Sequence, residues 1–226
     1  MSSSTAHQSS IPDTERSGDR QLSREELRRK MKAIRRSVSL AEQRHVAEQL
    51  AIWISRSRLL RTGSRVGVYL PQGREADLSI AIKRAHERGC RLYLPFITHM
   101  RTHRMQFVEF VPGRPLKKNA YGILEPIASH AARVSIRRLD VVLLPLVAVD
   151  ARGWRLGNGA GFYDRHLSHL RASRRWRRPK LIGIAYEFQR VPHLEPSKWD
   201  VPIEGLITER GFHTLRPWAP PRDVTT

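Results

Sequence analysis

Between residues 23 and 40 apolar side chains recur every three or four positions, with Leu27, Met31, Ile34 and Val38 set among charged neighbours. That spacing predicts an amphipathic helix, and Ser23 followed three residues later by Glu26 supplies a capping box at its start. At about 100° per residue, Arg24, Arg28 and Arg35 share a stripe about 70° from the centre of the apolar one, bordering the buried face. A second helix is expected from Ser39 to Arg58. Then the period changes. RVGVYLP, ending at Pro71, reads as a strand, and Ala76 to Arg88 as a helix stopped by Gly89. RLYLPF and MQFVEF read as strands, followed by the long apolar run DVVLLPLVAVD and by LIGIAY, the last clear strand. This alternation predicts an α/β fold, with helices covering a mainly parallel sheet.

Residues 1–20 carry six serines and no hydrophobic periodicity, so they read as a tail unable to bury enough surface to order itself. Residues 21–216 are expected to form a single domain, followed by a C-terminal tail over 217–226. The longest apolar stretch, Val141 to Val149, is bounded by Asp140 and Asp150 and falls short of the roughly 20 residues a membrane span needs. The only cysteine, Cys90, reads as a small core residue, and the N-terminal stretch has no apolar signal core. A reducing cytoplasm is the expected location.

Charge complicates this ordinary picture. The chain has 41 Lys and Arg against 21 Asp and Glu, a formal net charge of +20, and 34 of the 41 are arginine. Such a field favours nucleic acid, anionic lipid and phosphorylated metabolites alike. RASRRWRRPK, residues 171–180, has six cations and no acid, and is expected to form a surface loop. The arginines of the first helix are equally well read as a solvated face whose stems cover apolar surface.

The segment DARGWRLGNGAGFYDRHLSHL is chemically the most informative. Gly157, Gly159 and Gly161 alternate directly after an apolar strand and before a helical pattern. Glycines there let backbone N–H groups converge on a ligand, and the following helix start adds partial positive charge, an arrangement suited to phosphate. The segment is neither a P-loop nor a dinucleotide GxGxxG fingerprint. Arg155 before the glycines and Asp164 after them point to a nucleotide and metal site. His99 and His103, four apart beside Pro95, make a poor metal pair.

The string RLGNGAGFYDR, residues 155–165, resembles the RLGxGxGYYDR hallmark of the 5-formyltetrahydrofolate cyclo-ligases, and LPLVAVDARG precedes it as in that family. ELRRKMKAIRRSVS, VYLPQGREAD, NAYGILEP and IGIAYEFQRVPHLEPSKWDVPIEGLITERG resemble other family segments in the same order, so the likeness runs over about residues 23–211. The resemblance implies a three-layer α/β/α sandwich of the sugar-phosphate isomerase and CoA-transferase type. It also implies ATP-dependent closure of 5-formyltetrahydrofolate to 5,10-methenyltetrahydrofolate, giving ADP and phosphate.

By this resemblance Arg155 and Asp164 are catalytic. ATP would be held by Arg24, Arg28, Arg155, Leu156, Gly157, Asn158, Gly159, Ala160, Gly161, Phe162 and Tyr163, and the folate by Leu70, Glu75 and the loop from Asn158 to Phe162. Asp164 and Asp200 would ligate Mg²⁺, a hard cation suited to carboxylate oxygen. Taken alone, Glu75 and Asp164 are as readily carboxylates favoured at a helix start. Arg24 stands where the family often has Lys, Phe162 replaces the first Tyr of its YYD triplet, and Asn158 a larger side chain. The expected partners are small molecules, without a membrane or a specific nucleic acid, acting on a monomer. Two other readings stay open: a nucleic-acid-binding protein using residues 171–180 with Trp176, and an isomerase or transferase relative on the same fold.

Overall fold

The structure, a computed structural model, describes residues 22–99, 104–119, 122, 124–127, 133–159, 161–171 and 179–215. The tails expected over 1–20 and 217–226, most of the basic segment 171–180, and His103 lie outside the described residues. Helix α1 (Arg24–Ser37) starts as its sequence predicts: Ser23 Oγ accepts the Glu26 N–H at 3.2 Å and Glu26 Oε2 accepts the Ser23 N–H at 2.8 Å. Helix α2 (Leu40–Arg56) repeats the device with Ser39 and Glu42. Helix α3 (Ser79–Glu87) begins three residues later than its apolar pattern, because Asp77 accepts both the backbone N–H and the hydroxyl of Ser79 and holds 76–78 as a turn. Helix α4 (Phe162–Arg171) follows the glycine segment.

The strands are β1 (Arg65–Gly67), β2 (Arg91–His99), β3 (Arg104–Phe110), β4 (Leu116–Lys118), β5 (Leu124–Pro126), β6 (Arg133–Val134) and β7 (Val141–Pro145). After them come β8 (Ala148–Val149), β9 (Arg155–Leu156), β10 (Lys180–Ile184), β11 (Gly205–Thr208) and β12 (Gly211–Thr214). The main sheet runs β12-β11-β10-β7-β1-β2-β3-β6. Its centre, from β11 to β2, is parallel, whereas β12, β3 and β6 pair antiparallel at the edges. The long apolar run DVVLLPLVAVD is therefore not one strand. Pro145 has no N–H to extend a ladder, and the buried Gln189 amide donates to the carbonyls of Leu146 and Val147, turning the chain into the separate β8–β9 hairpin. Nor is LIGIAY the last strand, since β11 and β12 follow it.

Alternation along β7 sorts the core. Val141 and Leu143 face one side with Leu50 and Ile54 of α2 and Ile82 of α3, while Val142 and Leu144 face the other with Leu167 of α4. Helices thus cover both sheet faces. A third cluster sets Met31 of α1 against Ala148, Trp154 and Leu156, so α1 rests on the β8–β9 hairpin rather than on the sheet. Among the described residues no helix is long and apolar enough to cross a membrane.

Candidate active site

In the parallel centre the chain passes from β1 through α3 to β2 on one side, then returns to β7 and proceeds to β10 and β11 on the other. Connections therefore diverge between β1 and β7, and a crevice opens beyond the carboxyl ends of those strands. The structure has a cavity of about 320 Å³ there, lined by Tyr69 and Leu70 after β1, Pro145 at the end of β7, and Leu94 and Pro95 of β2. Its remaining wall includes Glu75, Arg155, Gly157 and Asn158, and Gly161 to Asp164.

Glu75 is buried, and it precedes α3 by four residues instead of sitting in the helix's first turn. Its Oε2 accepts the Gln72 N–H at 3.0 Å and its Oε1 accepts Asn158 Nδ2 at 2.8 Å, tying the β1–α3 connection to the glycine loop. Arg35 at the end of α1 brings Nη1 to 3.9 Å from Oε1. Beside this carboxylate the buried Tyr163 phenol is pushed far above its usual range, first by burial and then by the Glu75 charge, so it stays protonated.

Arg155 is buried too. Its Nη1 donates to the Val201 carbonyl at 2.7 Å and its Nη2 to Asp164 Oδ1 at 2.6 Å. Asp164 lies in the first turn of α4, yet its carboxyl is raised above its own ordinary value. Burial is the main cause. Arg155 opposes it, the Asp200 charge adds to it, and Arg24 opposes it. Asp200 Oδ2 accepts from Arg24 Nη1 at 2.8 Å and from the Ser197 N–H at 2.8 Å. Arg28 Nε donates to the Gly157 carbonyl at 2.9 Å and Lys32 Nζ to that of Asn158 at 3.4 Å.

Leu70, Glu75, Arg155, Gly157, Asn158, Gly161, Phe162, Tyr163 and Asp164 thus meet around one cavity. Arg24, Arg28 and Asp200 stand behind this wall, the two arginines already engaged with Asp200 and the loop backbone. The Leu156 side chain belongs to the core under α1. Gly159 and Gly161 adopt φ of +111° and +67°, which L side chains rarely do. Ala160 lies outside the described residues. Glu125 is buried and accepts from Asn119 Nδ2 at 2.6 Å across the β4–β5 hairpin. The site expected from the sequence did not include Arg35, although it shares the stripe of Arg24 and Arg28, or Gln189, whose amide nitrogen donates to carbonyls more than forty residues away.

A model of the 5-formyltetrahydrofolate cyclo-ligase family matches residues 20–209. The 5-formyltetrahydrofolate cyclo-ligase of Haemophilus influenzae is 31% identical over 187 residues, covering 81% of this chain and 96% of that protein. That of Mycolicibacterium smegmatis is 31% identical over 198 residues, covering 86% and 98%. The structure of Aquifex aeolicus 5,10-methenyltetrahydrofolate synthetase superposes with a TM-score of 0.71 at 28% identity, covering 89% of this chain and 97% of that one. A hallmark-bearing loop on a cavity at the strand ends and a match along nearly the whole described chain lead to one conclusion: the chain belongs to the 5-formyltetrahydrofolate cyclo-ligase family.

Proposed function

We propose that this chain closes 5-formyltetrahydrofolate to 5,10-methenyltetrahydrofolate at the expense of ATP, with Mg²⁺, releasing ADP and phosphate. The observation that carries this reading is the Glu75–Asn158 hydrogen bond, which unites two family segments 83 residues apart over one cavity. The chemical difficulty is the formyl oxygen, a poor leaving group. Its lone pair takes the terminal phosphoryl group of ATP as the bond to the ADP oxygen breaks. N10 then attacks the formyl carbon and loses its proton to water, and the C–O electron pair departs with phosphate. Alignment and charge neutralisation accomplish most of such a transfer.

Each feature of the wall suits a part of this task. Glu75, held by Asn158 and Gln72, can accept hydrogen bonds from pterin ring donors, and the Phe162 ring offers a stacking face. Arg28 uses Nε on the loop and keeps both amino groups of its fork for phosphate. Asp164 lies near enough to Asp200 to feel its charge, and two such carboxylates offer the hard oxygen donors that Mg²⁺ takes together with phosphate oxygens and water. When bound, that ion would neutralise charge on the transferring phosphoryl group. The chain acts as a monomer, with residues 21–216 as its single domain. Cys90 is buried with its thiol pushed up by that burial, as befits a core residue of a cytoplasmic enzyme.

Substrate labelled with oxygen-18 in the formyl group tests the mechanism. The label is expected in the released phosphate. Label recovered in water, or turnover without ATP as in an isomerase, would overturn the proposal.

A further inference from the structure

All five parallel strands begin at the end of the sheet opposite the cavity, and the connections leading into three of them, β1, β2 and β7, carry exposed arginines. Arg58 and Arg61 lie between α2 and β1, Arg88 caps α3 before β2, and Arg137 and Arg138 occupy the 3₁₀ turn before β7. Lys180 opens β10. All six are exposed. The acids of this end already have partners: Glu109 takes a two-pronged hydrogen bond from Arg91, Glu87 faces Lys83 at 4.0 Å, Asp140 accepts the Arg65 N–H, and Glu204 feels the charge of Lys180. Arg58, Arg61, Arg137 and Arg138 make no ion pair among the described residues.

Arg58 adds a second observation. It is the only non-glycine residue with positive φ among those described, at +56°, in the position after a helix end that glycine usually fills. A side chain there costs backbone strain that glycine would avoid, so this guanidinium stands where local conformational preference favours glycine. Neither α1 nor the cavity calls for these cations, because they stand at the other end of the strands.

We infer that this amino-end face is a docking surface for a nucleic-acid backbone, gripped through its phosphates without base readout, while the cavity at the opposite end stays accessible. Planar guanidinium forks match phosphate oxygens. A lipid surface fits less well, since among the described residues the large exposed apolar ones lie elsewhere: Leu22, Ile34 and Leu40 on or beside α1 and the start of α2, Leu124 and Ile127 at β5, Trp199 beside Asp200, and Phe212 on edge strand β12.

The test is fluorescence anisotropy of a labelled single-stranded 20-nucleotide RNA, and of the DNA of the same sequence, titrated with the full chain at several salt concentrations. Variant R58G/R61A/R137A/R138A is expected to bind at least roughly tenfold more weakly near 0.1 M salt, with the slope of log affinity against log salt shallower by about 3, from roughly 0.7 per lost phosphate contact. Lysines at the same four positions keep the charge but lose the fork, so the salt slope should stay within about 1 of the parent's while affinity falls less than in the alanine variant. Thermal unfolding of both variants checks the fold, and cyclisation kinetics should be unchanged. RNA and DNA binding alike supports backbone recognition, whereas a preference for one base sequence contradicts it. Four other results would overturn the inference: no binding by the parent chain, equal binding by the alanine variant, binding lost only when the arginines of 171–178 are replaced, or displacement by ATP at constant ionic strength. Capture by phosphatidylserine vesicles in place of RNA would overturn it as well.

Discussion

Arg155 and Asp164 carry the heaviest demands of any pair in the chain. The guanidinium is divided between the buried Val201 carbonyl and the Asp164 carboxylate of the cavity wall, so it positions one charged group and braces the backbone next to another. Asp164→Asn and Arg155→Ala should each lower kcat/KM by on the order of 100-fold or more, since both alignment and charge are lost. Circular dichroism should show the Asp164 variant folded, and parent-like kinetics in either folded variant would remove that residue from the reaction. Arg35 acts at one remove, through Glu75. Arg35→Ala should raise KM for the formylfolate by roughly five- to tenfold with kcat changed far less, and Arg35→Lys should restore most of it. Equal losses in kcat and none in KM would assign Arg35 to the phosphate side.

At the scale of elements, α1 is the lever that sets the glycine loop. It presents Arg24 to Asp200 and Arg28 to the Gly157 carbonyl, and its first turn is fixed by the Ser23–Glu26 box. Ser23→Ala should cost about 1 kcal/mol in chemical denaturation and raise KM for ATP more than for the folate, whereas Ser23→Asp should retain most of both. This helix was legible in the sequence because cap and stripe are local. So was the glycine segment, whose residue types stand side by side. The partnership of Arg24 with Asp200 was not legible, since the two are 176 residues apart and each reads alone as an ordinary surface or helix-end charge. The break between β7 and β8 was hidden for the same reason: an unbroken apolar run signals one strand, and the amide of Gln189 that interrupts it arrives from a distant turn. Antiparallel edges escape local pattern too, because period-two alternation says nothing of the direction of the neighbouring strand.

For the molecule as a whole, the sheet separates two ends with different chemistry, a cavity at one and unpaired arginines at the other. Stability is held across the cavity end by the turn leaving β10. Burial pushes the Glu187 carboxyl up, yet hydrogen bonds from Thr208 and Arg190 and the nearby His213 carry it below its usual value of 4.5. A lowered folded value means that this contribution is complete above that ordinary value and fades as pH falls through the lowered one. Glu187→Gln should therefore unfold more readily than the parent at about pH 7, with the gap closing toward about pH 2; a gap that widens in acid would contradict the assignment. The central claim, ATP-driven ring closure in this cavity, is tested most directly by following the near-ultraviolet absorbance of methenyltetrahydrofolate when the purified chain meets 5-formyltetrahydrofolate, ATP and Mg²⁺, omitting each in turn. Growth that requires all three is predicted. No growth from folded protein, or growth indifferent to ATP, would contradict it.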